Sequence, residues 1–185
     1  MIRKIFLFLI IALLIPSTEL LAKDPSLSNI IVTNTRDDLL IFLKVDNAFN
    51  KDLMDEIKSG LPTTFTFFIN LNKVRSLWVD KTLVEIELKH TIKWDGLKKE
   101  YIVTRSWENN KKRKTKSFME ASKLMTEVDS LKVTSLSLLE KGGLYEISAK
   151  SELRIVRLPL QMHYVLFFVS YWDFETDWHT VEFEY

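Results

Sequence analysis

The clearest pattern in the chain is an alternation of apolar and polar residues over Lys81–Trp107. A period of two residues is typical of strands that bury one face. The Asp95-Gly96 dipeptide in the middle of this stretch predicts a tight hairpin turn, because both residues tolerate the positive φ that a two-residue turn requires. In the predicted register His90 faces Tyr101, and nearly all apolar side chains share one face.

Further strands follow from the same alternation. It predicts strands over Asn29–Thr35, Leu39–Asp46 and Thr64–Leu71. The glycine pair Gly142-Gly143 is a favourable turn between two more alternating stretches and predicts a second hairpin.

Capping residues predict two short helices. Asn50 is a favourable N-cap for the first helix, and Gly60 is placed to end it. Ser117 and Glu120 have the spacing of a capping box, and the apolar residues that follow lie on one helical face. The polar residues 108–116, between the first hairpin and the second helix, are predicted to form a loop.

These elements predict a single mainly β domain over residues 23–185, an antiparallel two-layer β-sandwich-like fold with two short helices. Five or more strands and two tight hairpins favour this architecture over an α/β fold. The alternative is an α+β fold with both helices on one face of an antiparallel sheet.

Residues 1–22 have the pattern of a secretory signal peptide. Arg3 and Lys4 precede the apolar run Ile5–Ile15, and Ala22 is a small residue at the expected cleavage position. The run is shorter than the roughly 20 residues that a membrane-spanning helix needs. We therefore expect export to the periplasm or cell envelope, with anchoring by an uncleaved N-terminal segment as the alternative.

Composition excludes several classes of protein. The formal charge of the 185-residue chain is +1, and removal of residues 1–22 would take away two basic side chains and one acidic one. A neutral mature chain argues against a nucleic-acid-binding protein, which needs a basic surplus. The chain has no cysteine, which excludes disulfides, thiol catalysis and thiolate metal sites.

The segment Tyr164–Trp172 is apolar at every position except Ser170. It is either a buried part of the core or an exposed patch that contacts a partner or a membrane. For the second case the candidate contact residues are Phe167, Phe168, Trp172 and Trp178.

A basic cluster is the second candidate interaction site, consisting of Lys111, Lys112, Arg113, Lys114 and Lys116. One interpretation is an exposed, solubilising linker. The other is attraction to anionic lipid headgroups, which contributes about 1 kcal/mol per basic residue at the membrane surface.

Sites for catalysis, metals or cofactors have little support. Asp173, Glu175, Asp177 and His179 are weak metal candidates, because in a straight strand the outermost two would lie about 20 Å apart. We predict no cofactor and no metal. His90 lies on the apolar face of the hairpin and is predicted to be a hydrogen-bonded core imidazole.

The five tryptophans are spread over several elements, which favours core and interface packing over a sugar-stacking platform. They are Trp78, Trp94, Trp107, Trp172 and Trp178.

Several segments together resemble a known family. They are Ser59–Leu71, Trp78-Val79-Asp80, Tyr101–Arg105, the helix around Glu120–Leu124, and Leu158-Pro159-Leu160 leading to Trp172-Asp173-Phe174. The chain resembles an uncharacterised family of exported bacterial proteins known as a domain of unknown function, number four-three-nine-zero. The resemblance implies an envelope protein of a Gram-negative-type bacterium, and it implies no activity, cofactor or site.

Three functional hypotheses follow from these features. The first is a non-enzymatic envelope module that binds a protein partner or a membrane surface. The second is a periplasmic domain that binds a small ligand or carbohydrate. The third is a hydrolase with a site around His179, for which the sequence contains no nucleophile motif.

Overall fold

The computed structural model describes residues 24–155 and 174–185, which form two antiparallel sheets and two helices. The strands are β1 Ser26–Asn34, β2 Asp38–Asp46, β3 Thr63–Lys73, β4 Lys81–Asp95, β5 Glu100–Arg105, β6 Arg113–Thr115, β7 Glu127–Ser135, β8 Leu144–Ile155, β9 Phe174–Glu175 and β10 His179–Glu184. The α-helices are α1 Lys51–Lys58 and α2 Phe118–Thr126, and single 3₁₀ turns lie at Ser106–Glu108 and Leu136–Leu138.

The smaller sheet has the strand order β1-β2-β7, and the larger one has the order β10-β8-β3-β4-β5-β6, with β9 beside β8. Every strand pair is antiparallel. The prediction of a mainly β, sandwich-like domain with two short helices is confirmed.

The inward faces of the strands form one apolar core between the sheets. In β2 every second residue from Leu39 to Val45 is buried, and in β3 the alternate residues Phe65, Phe67, Ile69 and Leu71 have no exposed surface. These side chains belong to a single buried cluster that also includes residues from β8 and α2. The period-two patterns of the sequence therefore mark the faces that the two sheets bury against each other.

The predicted helix caps are present. The Asn50 Oδ1 atom accepts a hydrogen bond of 2.8 Å from the Leu53 N–H group and begins α1. The Ser117 Oγ atom accepts one of 3.4 Å from the Glu120 N–H group and begins α2. Each cap satisfies an N–H group that has no partner inside its helix.

The first predicted hairpin exists, but its predicted register is wrong by four residues. His90 pairs with Arg105 and Asp95 with Glu100, so the loop contains four residues instead of two. The Asp95 carboxylate accepts hydrogen bonds from the Leu97 and Lys98 N–H groups, and the positive φ falls on Lys99. Because the shift is an even number of residues, each side chain keeps its predicted face.

The prediction of a second hairpin is wrong. Strand β7 pairs with β2 in the smaller sheet, whereas β8 pairs with β3, β9 and β10 in the larger sheet. Gly142-Gly143 therefore joins the two sheets instead of turning within one. Gly142 has a φ of +70°, and a Cβ atom on Gly143 would lie 2.9 Å from both the Glu140 carbonyl oxygen and the Tyr145 ring.

None of the helices within residues 24–155 and 174–185 has the length and apolarity required to span a membrane.

Candidate interaction surfaces

His90 has no exposed surface, and both of its ring nitrogens are engaged. Its Nδ1 atom donates to the Met125 carbonyl oxygen at 3.0 Å, and its Nε2 atom accepts from the Trp107 indole N–H group at 2.9 Å. Burial lowers the pKa of His90 from 6.5 to about 4, and the nearby charge of Arg105 acts in the same direction. His90 is thus the predicted hydrogen-bonded core imidazole, although its cross-strand neighbour is Arg105 and not Tyr101.

A charged group lies next to this imidazole. The guanidinium of Arg105 is buried, stacks 4.8 Å from the centre of the Trp107 ring and forms an ion pair with Glu108. Arg113 holds the other oxygen of the Glu108 carboxylate at 2.9 Å. Burial favours the protonated form of Glu108, but the hydrogen bonds from the two arginines outweigh it and lower its pKa.

A cleft of about 320 Å³ opens beside this group, between the 3₁₀ turn at Ser106–Glu108 and α2. Arg105 and Trp107 line one side, and Lys123 and Leu124 of α2 line the other. Because Glu108 already pairs with the two arginines that line the cleft, these cations have limited capacity for an external anion.

The loop between β3 and β4 projects three consecutive apolar side chains into solvent. Leu77, Trp78 and Val79 are 90%, 79% and 90% exposed, and we call them the apolar tip. The Arg75 N–H group donates to the Asp80 carboxylate at 2.9 Å and closes the loop behind the tip. Contiguous exposed apolar side chains of this kind are typical of protein–protein or membrane interaction sites.

Sequence reasoning missed the apolar tip. It placed Trp78 among the core and interface tryptophans, and the structure corrects this, since most of the side chain lies in solvent. One signal in the sequence could have found it: three consecutive apolar residues lie between the charged residues Arg75 and Asp80. In the structure this connection follows the paired part of β3 and has no strand partner.

The predicted basic cluster forms part of a larger basic surface, which we call the basic end. It consists of Lys93, Lys98, Lys99, Lys111, Lys112, Arg113, Lys114 and Lys116. All eight are exposed. Residues 113–115 are not the predicted loop but strand β6, which pairs with β5 at the edge of the larger sheet. Two local ion pairs involve this surface, Arg113 with Glu108 and Lys114 with Glu100.

The apolar tip and the basic end lie at opposite ends of the larger sheet. The tip follows Lys73, the last residue of β3. Thr63, the first residue of β3, pairs with Ile92, Ile92 pairs with Val103, and Val103 pairs with Arg113. Arg113 therefore lies at the level of the start of β3. Ten residues of strand at about 3.3 Å each separate the two levels by roughly 30 Å.

Trp178 is the only one of the four predicted contact residues that lies in the described part of the chain. It is 46% exposed, and the Lys150 ammonium lies 5.3 Å from the centre of its ring. Lys150 also pairs with Glu152 and with Glu175. Phe167, Phe168 and Trp172 lie outside the described residues, as does Asp173.

Those weak metal candidates that lie among the described residues do not form a cluster. Glu175 pairs with Lys150, whereas Asp177 and His179 are exposed. Within residues 24–155 and 174–185, no group of three or more carboxylate or imidazole side chains is placed to hold a metal ion.

Residues 22–182 match the sequence profile of a family described as Domain of unknown function (DUF4390). This match covers nearly all of the chain after the predicted signal peptide and confirms the resemblance. No curated protein and no solved structure matches the chain.

Proposed function

The chain belongs to the DUF4390 family, whose description assigns no activity, and we propose that it is an exported envelope protein that binds a protein partner and is not an enzyme. The apolar tip is the contact surface. The single observation that carries this proposal is the near-complete exposure of Leu77, Trp78 and Val79.

The shape of the loop supports a protein partner. All three side chains are at least 79% exposed, so they protrude and do not line a groove of their own. A protruding tryptophan flanked by aliphatic residues is a typical binding hot spot, because it can fill a pocket of the partner.

The state of His90 argues against a catalytic role for this residue. A general base needs a free ring nitrogen and a pKa near the working pH. Both nitrogens of His90 are engaged, and its pKa of about 4 keeps it neutral.

The test is site-specific photo-crosslinking in the exporting cell. A photo-reactive phenylalanine analogue replaces Trp78, and its matched control replaces Leu97, which is 96% exposed in the loop between β4 and β5 at the other end of the sheet. We expect one discrete protein adduct from position 78 and none of that mass from position 97. The same adducts from both positions, or none from position 78, would contradict the proposal.

A second measurement links the adduct to the apolar tip. Val79→Glu should abolish the adduct at position 78, because burying a carboxylate in an apolar pocket carries a large desolvation penalty. Val79 is 90% exposed, so this variant should fold normally, which circular dichroism checks.

A further inference from the structure

We propose that the basic end binds the surface of a bilayer that contains anionic phospholipids. This orients the domain so that the apolar tip points away from the membrane. The inference does not depend on the protein partner, and either proposal can fail alone.

The charge of the basic end is concentrated in one stretch of chain. Residues 93–116 contain nine basic and three acidic side chains, a surplus of six, while the whole chain carries +1. The other residues therefore sum to a formal charge of minus five. A protein that is nearly neutral as a whole thus presents a strongly cationic surface in one place.

The three acidic side chains in this stretch are already engaged. Asp95 accepts hydrogen bonds from the Leu97 and Lys98 N–H groups, Glu100 lies 3.5 Å from Lys114, and Glu108 pairs with Arg105 and Arg113. The remaining lysines of the basic end form no ion pair with any described residue. Their charges are available to an external anion.

The fold gathers these lysines although they are separated in sequence. Lys93 pairs across strands with Ile102, and Ile102 pairs with Lys114, so the three side chains share one face of the sheet edge. Lys98 and Lys99 extend the surface into the neighbouring loop. Leu97, 96% exposed beside them, adds an apolar side chain that can enter the headgroup region.

The exposed Leu97 within the basic end favours a membrane over other polyanions. A lipid surface is the polyanion that accepts an apolar side chain and lysines together.

The apolar tip lies roughly 30 Å away along the strands, so a bilayer plane that crosses the strand direction at the basic end does not reach it. The two ends therefore have different partners.

The test is co-sedimentation of the full exported chain, purified from the exporting cells, with vesicles of phosphatidylcholine, with and without phosphatidylglycerol. We expect binding to the vesicles with phosphatidylglycerol and weaker binding as salt is raised, because salt screens exposed charges. The triple variant K111Q/K112Q/K116Q should bind about 100-fold more weakly, from roughly fivefold per lysine at an anionic surface.

The matched control removes three basic side chains at the tip end, R75Q/K81Q/K141Q. It should bind the vesicles within about threefold of the wild type, because these charges face away from the bilayer. All three proteins are checked for folding by circular dichroism.

Three results of the vesicle experiment would overturn the inference. They are equal binding to vesicles with and without phosphatidylglycerol, wild-type binding by K111Q/K112Q/K116Q, and a larger loss with the tip-end variant. Binding to a DNA duplex as tight as to the anionic vesicles would also reject a lipid site. None of these results changes the crosslink at position 78, so the two proposals remain distinguishable.

Discussion

His90 shows how one buried polar residue joins three elements. It lies on β4, donates to the main chain of α2 and accepts from Trp107 in the 3₁₀ turn after β5. A buried imidazole without both partners would lose hydrogen bonds that water supplies in the unfolded chain. The two bonds also define its neutral form, with the proton on Nδ1.

This arrangement predicts a pH dependence of stability. The pKa of His90 is about 4 in the folded protein and about 6.5 in the unfolded chain, so between these values the unfolded chain binds more protons. The stabilisation by neutral His90 is complete above pH 6.5 and decreases as the pH falls towards 4. The loss amounts to about 3 kcal/mol.

The measurement is urea unfolding of the wild type and of His90→Gln at about pH 7 and about pH 4.5. His90→Gln should lose less free energy of unfolding over this interval, because glutamine does not titrate. The same carboxylates titrate in both proteins, so the difference between their pH dependences of stability is due to His90. Equal pH dependence would mean that His90 is not kept neutral by the fold.

At the scale of elements, hydrogen bonds within each connection determine where strands turn. Asp95-Gly96 has the composition of a two-residue turn, yet the Asp95 carboxylate binds two later N–H groups and lengthens the loop to four residues. Gly96 has no positive φ, and Lys99 adopts the left-handed conformation instead. The side chain of Asp95, and not the freedom of Gly96, therefore determines this turn.

Two single substitutions test that conclusion. Asp95→Ala should lower the free energy of unfolding by about 1 kcal/mol, since two N–H groups lose their acceptor. Gly96→Ala should leave it unchanged or raise it by up to about 1 kcal/mol, because its backbone needs no glycine and a Cβ atom meets only ordinary contacts at 3.7 Å. Urea unfolding measures the free energy of unfolding of both variants. A larger loss of that free energy with Gly96→Ala than with Asp95→Ala would contradict this conclusion and show that Gly96 determines the turn.

At the scale of the molecule, the two sheets share one core and should unfold together. Ile41 of β2 and Ile69 of β3 are both fully buried, although they belong to different sheets. Ile41→Ala and Ile69→Ala should each lower the free energy of unfolding by about 2–5 kcal/mol. Neither should change the slope of that free energy against urea, because the whole chain still unfolds in one step.

Tryptophan fluorescence and far-ultraviolet circular dichroism follow the same samples. Leu77→Ala is the matched control, and it should change stability by less than about 0.5 kcal/mol because Leu77 is 90% exposed. Separate transitions by the two probes would show that the sheets unfold independently.

The local features of this fold were predictable from sequence. The alternation in β2, β3 and β4 identified the buried faces, and Asn50 and Ser117 marked the starts of both helices. The basic residues 111–116 were also recognisable as a candidate surface. Each of these signals depends on residues within a few positions of one another, where side-chain periodicity and capping act.

Only the tertiary structure decided which strands pair and which side chains remain in solvent. It placed β7 and β8 in different sheets, exposed Trp78, and brought Lys93 and Lys114 to one edge through Ile102. The sequence alone could not decide these points, because strand pairing joins residues far apart in the chain and depends on the competition among all possible partners. An apolar residue carries no local mark of whether another element will cover it. The periodicity of the sequence thus determined the faces of the strands, and packing between distant segments determined the surfaces that remain available for binding.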